Sequence, residues 1–241
     1  MSIHSLYSFA CLAAAAVLFT VVPAHSQQNY IGRYSAYAGF AIIDSPVLGL
    51  NEKGAHVQFG VNPNTWLSAG VDYSAATGTD MLTPNLLLPS LQATIAAAEA
   101  QFTALGVLPR GYSLRLRTDA STQTFGAGPQ LAYRHFSRAT LFAHPSFGAL
   151  REHAVPRPAD AFQKLIVAQL APTGEKTDWI ATYGVGGGGE LALDDHFAIR
   201  AQIEAVWNHP FSDLLGEGRW TFRYSVGPSF QFGRNVSHRG R

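Results

Sequence analysis

Residues 183 to 195 read YGVGGGGELALDD, in which Gly184, Gly186 and Gly189 have the spacing G-x-G-x-x-G, with an acidic residue, Glu204, about 20 positions beyond the first of them. In a dinucleotide-binding unit such glycines leave a strand, let the backbone approach a pyrophosphate and open a helix whose N-terminal amides hold the phosphates. Whether the glycines do this depends on the elements on either side of them. Other groups with chemical potential are sparse. His135, His144, His153, His196 and His209 are scattered, with no i, i+4 pair on a helix and no carboxylate at ligand spacing, so no metal site is expected. His144 and Ser146, two residues apart, come nearest to a base and a nucleophile.

The elements that position these residues alternate with period two. From Arg219 to Phe232, Trp220, Phe222, Tyr224, Val226, Pro228, Phe230 and Phe232 point one way and Arg219, Thr221, Arg223, Ser225, Gly227, Ser229 and Gln231 the other. That is a strand with one apolar and one polar face, long beside the five or six residues usual in soluble proteins. Phe197 to Asn208 repeats the pattern and puts Arg200, Gln202 and Glu204 on its polar side. Trp179 to Leu193 sets Ala181, Tyr183, Val185, Leu191 and Leu193 against Thr182, Gly184, Gly186, Gly188 and Glu190. The glycines therefore lie inside a strand with no helix after them, and neither nucleotide nor any other cofactor is expected.

Five further strands are read at Tyr34 to Ile43, Ala55 to Asn62, Thr65 to Ser74, Thr124 to Arg134 and Arg138 to Glu152, eight in all. The connections between them run to about 11, 3, 48, 4, 26, 3 and 10 residues, short and long in turn. Tight turns at Asn62-Pro63-Asn64, His135 to Arg138 and Asp194-Asp195-His196 share one rim, and the long loops, about 75–122 and 153–178, share the other.

Composition points the same way. Lys plus Arg (17) nearly balances Asp plus Glu (16), and charged residues are 14% of the chain, against roughly 25% in soluble domains. A nucleic-acid partner is not expected. Met1 to Val22 carries no Asp, Glu, Lys or Arg, runs through LAAAAVLFTVV and reaches Ala24-His25-Ser26, a small-x-small triplet. Residues 1–26 thus read as a cleaved secretory signal peptide. The single cysteine, Cys11, falls within it, so the exported chain would have no disulfide and no thiolate chemistry. After it no stretch approaches the 18 to 20 apolar residues of a membrane helix. A closed barrel is the remaining way for strands to cross a bilayer.

RWTFRYSVGPSFQFG (219–233), FAIRAQIEAVW (197–207) and GVNPNTWLSAGVDYS (60–74) together resemble the small outer-membrane β-barrel family of Gram-negative bacteria, which includes outer-membrane protein A and opacity-type proteins. The resemblance implies an all-β, eight-stranded antiparallel transmembrane barrel over residues 27–233, with short periplasmic turns and long, partly helical extracellular loops. It also implies a non-enzymatic outer-membrane protein whose partners are membrane lipid and the barrel-assembly machinery. That machinery reads a terminal aromatic residue in such proteins; here Phe232 would serve, leaving residues 234–241 as a short basic tail.

On this frame Asp72, Arg134, Glu190, Arg200, Glu204 and Arg223 face the lumen, three acids and three bases. Two readings follow: a fixed ion-pair plug, or a narrow pore whose pairs switch. In the first long loop Leu91, Ile95, Ala98, Phe102 and Leu105 recur at helical spacing between Ser90 as N-cap and Gly106 as stop. In the second, Phe162, Leu165, Ile166 and Leu170 make a shorter helix after Pro158. These stripes either pack on each other and the barrel rim or offer a surface to an extracellular protein or a hydrophobic ligand. Trp179, Trp207, Trp220, Tyr73, Tyr133, Tyr183 and Tyr224 would form the aromatic girdle.

Overall fold

The computed structural model describes residue 28 and residues 30–237; the expected signal peptide lies outside the described residues. Eight antiparallel strands follow one another around a closed barrel: β1 (Gly32–Ser45), β2 (Leu50–Val61), β3 (Leu67–Leu82), β4 (Leu116–Tyr133), β5 (Ala139–Arg157), β6 (Lys176–Ala192), β7 (Phe197–Asn208) and β8 (Arg219–Asn235). β8 closes on β1 through a register running from Tyr34 opposite Phe232 to Asp44 opposite Phe222.

The period-two pattern of the sequence becomes an inside-out distribution of polarity. Outward-facing Val71, Phe147, Val185 and Val226 are each more than half exposed, whereas inward-facing Glu52, His56, Ser74, Arg200, Glu204 and Arg223 are buried. Water would penalise so broad an apolar belt, and a bilayer's hydrocarbon would not. Trp179, Trp220, Tyr133, Tyr183 and Tyr224 stand exposed on the same outer face, with the Trp207 and Trp220 rings 5.5 Å apart.

Three boundaries differ from the sequence reading. β3 and β4 stay paired as far as Leu82 opposite Leu116, so residues 75–82 and 116–122 are strand, and the loop proper is 83–115. Likewise β5 and β6 shorten the next loop to 158–175, and the first connection is only the turn 46–49. These extensions rise beyond the apolar belt, where the outer face needs no large apolar residue, so the alternation that marks a strand fades although the ladder continues. At the opposite rim residues 233–236 are held to the barrel: β8 runs to Asn235, whose side chain accepts from the Ile31 amide at 3.0 Å, and buried Val236 donates its own amide to the Ile31 carbonyl.

The loop rim carries a cap. It consists of a 3-10 turn (Pro84–Leu86), α1 (Pro89–Ala104), α2 (Ala161–Leu170) and the loop from His209 to Gly218. α1 starts one residue before the expected cap, with Pro89 in its first turn and Leu88 at the N-cap, so Ser90 lies inside the helix. It ends at Gly106 (φ +73°): the Gly106 amide donates to Thr103 and that of Val107 to Phe102, a Schellman closure that needs a left-handed residue. α2 begins at Asp160, whose carboxylate accepts from the Gln163 amide at 2.7 Å and from the Tyr112 hydroxyl at 2.8 Å. Leu87, Ile95, Leu108, Leu114, Phe162, Ile166, Phe211 and Leu215 form one apolar core between these segments.

Candidate functional site

The lumen holds polar side chains in three tiers, each supplied by several strands. Nearest the rim with the termini, Arg200 on β7 faces its register partner Glu190 on β6 at 3.5 Å and donates to Gln202 and Gln130. Its guanidinium lies 3.9 Å over the Phe142 ring, and Ser229 donates to Glu190 at 3.1 Å. Arg134, at the end of β4, was expected in the same network, but its Nε and Nη1 are buried without a hydrogen-bond partner.

The middle tier crosses the lumen. Arg223 on β8 donates to Asp72 on β3 at 2.6 Å, to Ser74 at 2.9 Å, to Thr124 on β4 at 2.7 Å and to Glu204 on β7. Ser146 on β5 also donates to Glu204. On the Asp72 side, His56 on β2 lies 3.5 Å away and its other ring nitrogen meets Ser225 at 3.0 Å and Gln202 at 2.9 Å. One cation thus ties two carboxylates and two hydroxyls on strands around the wall. The free space beside it is about 30 Å³, room for about two waters. Taking a lone charge out of water costs several kcal/mol, and this pairing offsets that cost.

Small residues make the room. On β6, Gly184, Gly186 and Gly188 stand in register opposite Ser146, His144 and Phe142 of β5. A Cβ on Gly186 would lie 2.6 Å from His144 Nε2, and one on Gly188 would lie 2.8 Å from the Phe142 ring. The space these glycines leave goes to the β5 side chains, on one of which, Phe142, Arg200 stacks. His144 and Ser146 do not bond each other: Ser146 serves Glu204, and the His144 ring lies 6.3 Å from that of Phe142. The G-x-G-x-x-G spacing lies wholly within β6, and Glu204 faces Gly186 across the β6–β7 pair.

The third tier, below the cap, went unread in the sequence. Glu52, Glu152 and Arg219 are buried there with Asp80 close by; Glu152 accepts from Thr122 at 2.7 Å. The signal was present in β2, where Glu52, Gly54, His56 and Gln58 alternate with Lys53, Ala55, Val57 and Phe59, but the run is weakly apolar and short of large residues. Glu152 and Arg219 stand at strand ends that the sequence reading left unassigned to a tier.

Of the apolar loop residues named from the sequence, Ile95, Phe162 and Ile166 are buried in the cap core and Leu91, Ala98, Phe102 and Leu170 pack against it. The Phe102 and Phe162 rings are 5.5 Å apart, edge to face. Leu105 and Leu165 stay outside, 69% and 42% exposed. The stripes cover one another, as the first of the two readings had it.

Among the described residues no group of three or more His, Cys, Asp or Glu is arranged to hold a metal ion. The chain folds as an all-antiparallel, closed, eight-stranded barrel with a polar interior and an apolar belt, and solved bacterial surface and outer-membrane proteins are similar to it in fold. Neisserial surface protein A matches with TM-score 0.50 at 13% identity over 83% of this chain and 96% of that one. Ail, the attachment invasion locus protein of Yersinia pestis, matches with TM-score 0.45 at 15% identity over 84% and 99%. OprG from Pseudomonas aeruginosa matches with TM-score 0.46 at 11% identity over 87% and 100%. No protein-family model and no curated protein matches the sequence. The likeness is one of fold, and residue roles rest on the geometry above.

Proposed function

We propose that this chain is an exported, non-enzymatic protein of the Gram-negative outer membrane that closes its own lumen and meets its surroundings through the capped, extracellular loop rim. The observation that carries this reading is the Arg223 tier, in which one guanidinium joins β8 to β3, β4 and β7 across the interior. Eight strands enclose a space that side chains can fill, and here a hydrogen-bonded ion network fills it. A pore would need those pairs to part, which leaves buried charges unpaired. The apolar belt supports membrane lipid as one partner. Phe232, paired with Tyr34 in the closing seam, is the aromatic residue that the assembly machinery would read.

Two groups in reach of catalysis, His144 and Ser146, sit inside this sealed lumen and serve structure. The reading is tested by refolding the chain into liposomes and following entry of a small sugar. No swelling above that of empty liposomes is expected, and swelling that scales with protein content would contradict it.

A further inference from the structure

Between the third lumen tier and the cap lies an apolar cavity of about 90 Å³. At roughly 10–15 Å³ for each solvent-sized sphere, it admits about six to nine such groups, the size of one aromatic ring or a short alkyl chain. Leu82 and Leu116 on the strand ends, Ala154 on β5, and Leu87, Phe211 and Leu215 of the cap make its walls.

Its floor is not apolar. Asp80, Glu152 and Arg219 line it, and Glu52 stands behind them with 0% exposure and no hydrogen-bond partner for either carboxylate oxygen. Thr122 satisfies one oxygen of Glu152, and the Met81 amide one of Asp80. The Arg219 side chain makes no hydrogen bond and no ion pair within 4 Å among the described residues and acts on Glu152 and Asp80 only at longer range, so three carboxyl groups share one guanidinium that contacts none of them. Lys176, at the edge, is taken by Asp213. An anionic ligand reaching Arg219 would meet Asp80 and Glu152 as well. A cationic head with several N–H donors would instead supply the charge and the hydrogen bonds that the floor lacks.

We propose that the cavity is a binding site for a small amphipathic amine, its aromatic or short aliphatic tail between the barrel mouth and the cap and its ammonium group on Glu152 and Asp80. The test uses the full chain in phosphatidylcholine nanodiscs, with calorimetric titration of 2-phenylethylamine, 2-phenylethanol and phenylacetate against empty nanodiscs. The amine is expected to bind at least 10-fold more tightly than the alcohol or the carboxylate. Glu152→Gln should lower amine affinity at least 10-fold and leave the alcohol unchanged; Asp80→Asn serves in its place should the first variant not fold. Ala154→Trp, which fills the cavity, should abolish binding while the barrel still shows heat-dependent gel migration. Equal affinity across the three ligands, preference for phenylacetate, no amine binding at millimolar concentration, or amine binding that survives Ala154→Trp would each overturn the proposal.

Discussion

Arg223 on β8 and Asp72 on β3 meet across the barrel interior, Nη2 to Oδ1 at 2.6 Å, with both side chains less than 10% exposed. The pair joins strands that are not neighbours in the sheet, so it braces the wall from within. Removing the cation alone would leave Asp72 and Glu204 buried and uncompensated. Arg223→Met is expected to destabilise the barrel by about 3–5 kcal/mol. Adding Asp72→Asn and Glu204→Gln should restore much of that loss, because the penalty belongs to the unpaired charges. Urea unfolding of the refolded protein measures both; an undiminished midpoint in the single variant would contradict the bracing role.

Gly186 tests the fit of small beside large. Its Cβ position is 2.6 Å from His144 Nε2 and 3.1 Å from the Ile203 carbonyl, so Gly186→Leu should sharply reduce the folded fraction seen on an unboiled gel. Gly189, on the lipid face, would meet only Leu141 and Thr140 at 3.7 Å. Gly189→Leu should fold normally, and His144→Ala should partly rescue Gly186→Leu. Equal folding of the two leucine variants would remove the packing argument.

The cap has an apolar core of its own, seated on Leu82 and Ala154 of the barrel mouth. Phe162 is 3% exposed and contacts Phe102 and Tyr112 with rings 5.5 and 5.7 Å away. Phe162→Ala should cost the cap about 3–5 kcal/mol of local stability. Trypsin should then cut faster at Arg110, Arg115 and Lys164 while the barrel stays folded. Leu105→Ala, at an exposed site, should leave the cleavage rate as it was.

Asp194 governs the β6–β7 turn. Its carboxylate accepts from the amides of Phe197 at 2.8 Å and His196 at 2.7 Å, which hold its pKa below the usual carboxylate range. A depressed folded pKa means that its contribution is present above the ordinary carboxylate value and is lost as pH falls through the lower folded one. Carbon-13 NMR of Asp194 should show a midpoint below that of an unstructured aspartate. A midpoint at or above it would contradict the turn geometry.

How far the sequence could be read follows from what each strand faces. Arg219 to Phe232 and Phe197 to Asn208 show alternation because lipid demands apolar residues on one side and the packed lumen tolerates polar ones on the other. All eight strands could be placed by that rule, as could the inward positions of Asp72, Glu190, Arg200, Glu204 and Arg223. Outside the belt the rule lapses: Ala75 to Leu82 pairs fully with Leu116 to Gln123 yet carries Ala75, Thr77 and Thr79 outward where the belt would carry Val or Phe. Glu52 and Glu152 were missed for the same reason, since they stand above the large outward residues that set the phase. The fate of the loop stripes was legible only as a choice, because which of Ile95, Phe162 and Leu105 becomes covered depends on how three loops far apart in sequence converge over the mouth.

Single-channel recording of the refolded, unmodified chain in a planar bilayer tests the closed lumen most directly. The Arg223 tier predicts a silent bilayer at potentials that leave the membrane intact, with brief conductance steps appearing only when Arg223→Ala is combined with Glu204→Ala. Discrete, reproducible steps from the unmodified protein would contradict it.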